Sequence, residues 1–240
     1  MTYRCNKTNK TLKSIIIPEG YTSIGEKAFY KFSNLISITI PNSIIEIGLN
    51  AFRDCINLRS ITIPSSVTKI AEYAFWHCSN LTSVTIPNSI VKIGGSAFSD
   101  CINLKSVIIP TSINKIEKYT FDNCINLKSV IIPTSVSNLL YNSFNYDNLK
   151  YLKISKYLYD KHNLEKYLND ECEVEFWKNE SENESENEIK NEPEDMIFQL
   201  EEPNYKILLQ AYKNVSQKYP ILFKEFEKEV LRLDPNFKFE

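Results

Sequence analysis

The sequence predicts a solenoid of stacked 23-residue coils with a helical hairpin tethered behind it. Two columns carry the period: Pro18, Pro41, Pro64, Pro87, Pro110 and Pro133 stand 23 residues apart, and Phe29, Phe52, Phe75, Phe98, Phe121 and Phe144 keep the same step. A fixed step of this length marks an array in which each unit packs on its neighbours alone. Behind the array the pattern stops, and an acidic run leads into two stretches with helical spacing.

Each unit opens with a strand. In Leu35-x-x-Ile38-x-Ile40-Pro41 apolar residues alternate, as one buried face requires, and the proline ends the element. A turn follows, containing Ser43, Ser66, Ser89, Ser112 or Ser135, whose hydroxyl is expected to bond local backbone in an ST-turn. Ile44-x-x-Ile47-Gly48 reads as a short extended return. Ala51-Phe52-x-x-Cys55 has the spacing of a helical turn with its apolar side inward. Five complete units run from Pro18 to Ile132 and a degenerate sixth to Ile154, with a partial first turn from near Leu12. The sixth lacks its cysteine and has Ser155 where a proline would close it, as expected of a terminal unit.

Four of the six cysteines, Cys55, Cys78, Cys101 and Cys124, form one column, and Phe32 takes that place in the first unit. A phenylalanine in the slot indicates burial, so the column reads as reduced structural thiols. A straight column of this kind does not converge to the tetrahedral distances that zinc needs. Cys5 and Cys172 stand outside that column.

These residues resemble the BspA-like (Treponema pallidum-type) leucine-rich repeat family, whose pattern L-x-x-I-x-I-P-x-x-V-x-x-I-G-x-x-A-F-x-x-C-x-x-L is matched over residues 12–154. Gly becomes Ala71 and Glu117, and Ala becomes Thr120 and Ser143. The resemblance implies a leucine-rich repeat solenoid, mainly β with short helical turns in a right-handed superhelix, and a protein-binding role. It also implies an alternative, a cell-surface or secreted adhesin.

Composition narrows the partners. A net charge of −2 argues against a nucleic-acid partner. Residues 1–14 lack the apolar region of a signal peptide and no run of 18 apolar residues occurs, so no membrane insertion is expected and the expected location is cytoplasmic. His77 and His162 sit in no metal-spaced or triad-like constellation, and Cys172 lies ten residues after His162, a weak signal for a nucleophile and base. Neither enzyme activity, nor a cofactor, nor a metal site is expected.

Two surfaces remain as candidates for a protein or peptide partner. On the strand face, expected to be concave, Thr39, Thr62, Thr85, Ile108 and Ile131 form one outward row. Ser37, Ser60, Ser83, Ser106 and Ser129 form the next, and Lys13, Arg59, Lys105, Lys128 and Lys150 run beside them as a weakly basic edge broken by Ile36 and Thr82. This is either a solvated edge or a track for an extended acidic or apolar peptide. On the turn side, Tyr30, Tyr73, Trp76 and His77 break their columns with aromatic groups, which are enriched at binding hot spots, or are simply exposed.

Residues 155–178 read as a cap, with helical spacing at Tyr157, Leu158, Leu164 and Leu168 and strand alternation through Cys172, Val174 and Phe176. An acidic, low-complexity linker is expected over 179–195. Over 196–240, Tyr205, Leu208, Leu209, Tyr212 and Val215 make one helical stripe and Phe223, Phe226, Val230 and Leu233 a second, giving the hairpin. The function expected is a non-enzymatic scaffold with the hairpin as a second contact element.

Overall fold

The computed structural model describes residues 1–5 and 10–178; the expected linker (179–195) and helical hairpin (196–240) lie outside them. Among the described residues the chain is a β-solenoid of about seven coils. Its strand face is built from Ser14–Ile16, Ser37–Thr39, Ser60–Thr62, Ser83–Thr85, Ser106–Ile108, Ser129–Ile131, Tyr151–Ile154 and Glu173–Phe176. Pairing is parallel, with each residue opposite its equivalent in the next unit: Ser14 with Ser37, Ser60 with Ser83, Ser106 with Ser129. Between those pairs the ladder thins, and single amide bonds bridge the gaps, from Arg59 N to Ile36 O and from Lys105 N to Thr82 O, both at 3.3 Å. Two-residue return strands make a second side, ordered Thr2–Tyr3, Ser23–Ile24, Glu46–Ile47, Lys69–Ile70 and Lys92–Ile93.

The array therefore begins at Thr2, ahead of the expected start near Leu12. Tyr3 pairs with Ile24 and stacks on Phe29 at 5.7 Å between ring centroids. It lies off the 23-residue step, so counting periods does not find it.

The third side corrects the expected helical turns. Each of the five complete coils carries two residues in the left-handed region at fixed places, Asn50 (φ 54°) and Asp54 (φ 61°) in one, Tyr73 (φ 56°) and His77 (φ 58°) in the next. Alternate amides then point along the array. Asn50, Phe52 and Asp54 donate to the carbonyls of Glu72, Ala74 and Trp76, while Ala51, Arg53 and Cys55 donate three residues back. A helix would spend every amide four residues back and leave neighbouring coils unbonded. The turn segment is thus a third inter-coil ladder, which satisfies its backbone groups by stacking.

The core follows from that registry. The phenylalanine column is fully buried from Phe29 to Phe121 and stacks at 4.9, 5.1, 5.1, 5.3 and 5.1 Å, with ring planes within 8° of parallel. The cysteine column lies beside it, and its four thiols are free. Each donates to a phenylalanine carbonyl of the preceding coil: Cys55 to Phe29, Cys78 to Phe52, Cys101 to Phe75 and Cys124 to Phe98, at 3.1–3.4 Å. Phe32 in that slot instead meets Phe29 edge-on at 5.5 Å.

The turn serines also differ from expectation. Ser66, Ser89, Ser112 and Ser135 donate to Ile44, Val67, Ile90 and Ile113 of the preceding coil at 2.5–2.8 Å, so they tie coils together where an ST-turn would bond locally. Ser43, at the head of that column, is half-buried, and its Oγ is enclosed with no hydrogen-bond partner among the described residues.

The cap forms a last coil. Ser155, where a proline closes other units, is the N-cap of the helix Lys156–Lys161 and accepts from Leu158 N at 3.3 Å. Leu158 and Leu164 are buried and Leu168 half-buried, but Tyr157, expected on the same stripe, is 64% exposed. Glu173–Phe176 adds a further parallel rung, pinned where Trp177 Nε1 donates to Ile132 O at 2.7 Å.

Candidate interaction surfaces

On the strand face the sheet brings the expected row together. Ile16 pairs with Thr39, Thr62 with Thr85, and Ile108 with Ile131. Ile16, Thr39, Thr62 and Ile108 are exposed, and Thr85 and Ile131 half-buried. Arg59 and Lys105 are exposed and Lys128 half-buried, while Lys150 is neutralised by Glu171. The row ends at Lys153, paired with Glu175 and lying 4.4 Å from the Trp177 ring. The row is regular: Thr39, Thr62 and Thr85 stand in succession, with Ile16 before them and Ile108 and Ile131 after.

The turn side is more particular. Arg53 stands in the column between Tyr30 and Trp76, and its guanidinium lies 4.3 Å from the Trp76 ring centroid and 5.9 Å from those of Tyr30 and Tyr73. Asn50 Oδ1 accepts from Arg53 at 3.3 Å, and Asp54 is 3.8 Å from Nε, which is buried and makes no hydrogen bond. His77 Nδ1 reaches Asp54 Oδ1 at 2.8 Å. Tyr30, Tyr73 and Trp76 thus come together around one cation, and His77 joins them through Asp54. Arg53 escapes a search for aromatic column-breakers. Its signal is that Tyr30, Arg53 and Trp76 are three large planar side chains in succession at one repeat position.

Next to this cluster is a recess of about 320 Å³ lined by Tyr73, Tyr119, Gly94, Gly95 and Ser96, together with charged groups of the adjoining coils. Gly94 is required there, since a Cβ would stand 2.4 Å from Glu72 N.

The groups named for chemistry are engaged in structural work. His162 Nε2 accepts from Leu139 N at 3.3 Å, and burial, with nearby Lys161, lowers its pKa. Burial and Glu173 raise the Cys172 thiol, away from the reactive thiolate. Burial pushes Cys55 up to about 12 and holds Cys78, Cys101 and Cys124 far above the usual thiol range. No group of three or more His, Cys, Asp or Glu among the described residues is placed to hold a metal ion.

A profile of the BspA type leucine rich repeat region matches residues 3–94 and 68–172, in six copies. The chain belongs to this family. No curated protein matches it significantly. Among solved structures, a leucine rich repeat protein of Treponema pallidum is 25% identical, with a TM-score of 0.50, over 66% of this chain and 84% of its own. The pneumococcal vaccine antigen PcpA shares the fold at 20% identity and a TM-score of 0.56, over 72% of this chain and 44% of its own. A leucine rich cell surface protein of Faecalibacterium prausnitzii is 24% identical with a TM-score of 0.46, and the match spans 61% of it. No helix among the described residues is long and apolar enough to cross a membrane.

The BspA-type pattern accounts for the buried columns and leaves the cluster unexplained. Arg53, Asp54, Trp76 and His77 all occupy the two open positions between Phe and Cys, and Tyr73 an open position before Ala. Nothing in the coil requires these side chains.

Proposed function

We propose that this BspA-type repeat chain is a non-enzymatic scaffold that binds a partner protein through the aromatic surface around Arg53. The observation that carries the reading is the assembly of Tyr30, Tyr73 and Trp76 about that guanidinium, with His77 held beside it on Asp54. Trp, Tyr and Arg dominate binding hot spots because they offer large rigid contact area together with directed polar groups. Tyr73 holds a left-handed position that the preceding coil gives to Asn50, which adopts it at lower cost.

The strand-face row of Thr39, Thr62, Thr85, Ile108 and Ile131, with Arg59, Lys105 and Lys128, is the second surface, suited to an extended peptide. The segment 196–240, where the sequence predicts a helical hairpin, is proposed as a further contact element. The test is capture of partners from lysate of the source cell by the full chain, by Arg53→Ala and Trp76→Ala, and by Thr62→Arg. A partner lost with the first two and kept by the third is expected. A partner lost only with Thr62→Arg transfers recognition to the strand face, and one lost only from a chain ending at Lys178 transfers it to the hairpin.

A further inference from the structure

We infer that the gap between Tyr73 and Tyr119 is a socket for a single aromatic side chain of the partner protein; the inference rests on the protein-binding reading above. Asn50, Tyr73, Ser96, Tyr119 and Asn142 follow one another at one repeat position, all with φ between 48° and 60°. Their side chains therefore leave the backbone in a common direction on successive coils. On the middle coil that position holds Ser96, which is short and 9% exposed, and the position before it is Gly95. A Cβ at Gly95 would meet Lys118 O at 3.2 Å and no other atom within 4 Å. One coil thus carries only a glycine and a serine where its neighbours carry Glu72 and Tyr73 or Lys118 and Tyr119, and the recess lies over them.

The buried phenylalanines measure the step across the same coils: Phe75 to Phe98 is 5.1 Å and Phe98 to Phe121 is 5.3 Å. A ring entering the gap lies one such step from each tyrosine column position, within the range where aromatic pairs attract beyond the area they bury. The surrounding charge disfavours the planar cation of arginine. Among the described residues Lys92 and Lys118 line the recess with no ion pair, against Glu72, while Glu117 is held by Lys115 at 2.7 Å. Tyr73 also touches Arg53, so one partner surface covers both the socket and the cluster.

The test is titration of the full chain with N-acetyl-tryptophanamide, followed by the NMR shifts of the Gly94, Gly95 and Ser96 amides, with N-acetyl-leucinamide as the comparison. Saturable shifts at these amides are expected, with roughly threefold to tenfold tighter binding than the leucine compound. Ser96→Tyr, which fills the gap at a position whose backbone already carries Tyr73 and Tyr119, is expected to abolish the shifts and to weaken capture of the partner. The double variant Tyr73→Asn with Tyr119→Asn removes the walls using the column's own Asn, and is expected to do the same should Ser96→Tyr not fold. Equal binding of the leucine compound, shifts that persist in these variants, or partner capture unchanged by them would overturn the proposal. The titration needs no partner, so a failed socket is distinguished from a failed protein-binding reading, in which Arg53→Ala leaves capture intact.

Discussion

Tyr73 shows how one residue serves two demands. Its left-handed backbone costs more with a tyrosine than with the Asn50 of the neighbouring coil, while its ring faces Arg53. Tyr73→Asn is expected to raise stability by up to about 1 kcal/mol and to lower partner capture, a pairing that denaturant melts and pull-downs on the same protein check; loss of stability would contradict it. Phe75→Ala empties a slot at the centre of the stack and is expected to cost about 3–5 kcal/mol, where a change under about 1 kcal/mol would mean that the inward face is misassigned. The buried thiols, held far above the usual range, are expected to resist alkylation in the native protein at neutral pH and to react on unfolding, read by mass spectrometry residue by residue. The inward face was legible in the sequence because burial repeats with the period. Arg53 was not, because it is a single departure whose meaning depends on residues 23 positions to either side.

Among the elements, the turn segment was misread. Ala51, Phe52 and Cys55 have the spacing of a helical face, but spacing alone cannot tell whether an amide bonds within the segment or to the next coil. Here half of them reach across. In the last coil the loss of proline is the gain of a cap, so Ser155→Ala is expected to cost about 1 kcal/mol and to increase hydrogen exchange in Lys156–Lys161. His162 gives that coil a pH dependence. Its Nε2 accepts from Leu139, and its pKa is lowered from 6.5, so the unfolded ring takes up a proton before the folded one. The stability is complete above that value and declines as pH falls below it. Exchange of the Leu139 amide is expected to show more opening at about pH 5 than at about pH 7, beyond the intrinsic rate change, and less so in His162→Gln. Equal pH dependence in both proteins would remove His162 as the cause.

Across the whole molecule, registry does the organising. Parallel pairing places every residue opposite its equivalent, so a column of the sequence becomes a stripe on the solenoid. Conserving a column builds the core, and departing from one writes a local surface on it. That is why the architecture was legible from proline and phenylalanine spacing, and why the cluster around Arg53 emerged only when neighbouring coils were placed side by side. The account's central claim is that recognition lies on the turn side. The most direct measurement is site-specific photo-crosslinking in lysate of the source cell, with a benzophenone side chain placed at Lys31, exposed beside Tyr30, in one protein and at Thr62 in another. The account predicts a discrete crosslinked partner from position 31, competed by the unmodified chain, and none from position 62. The reverse pattern would contradict it and place the partner on the strand face.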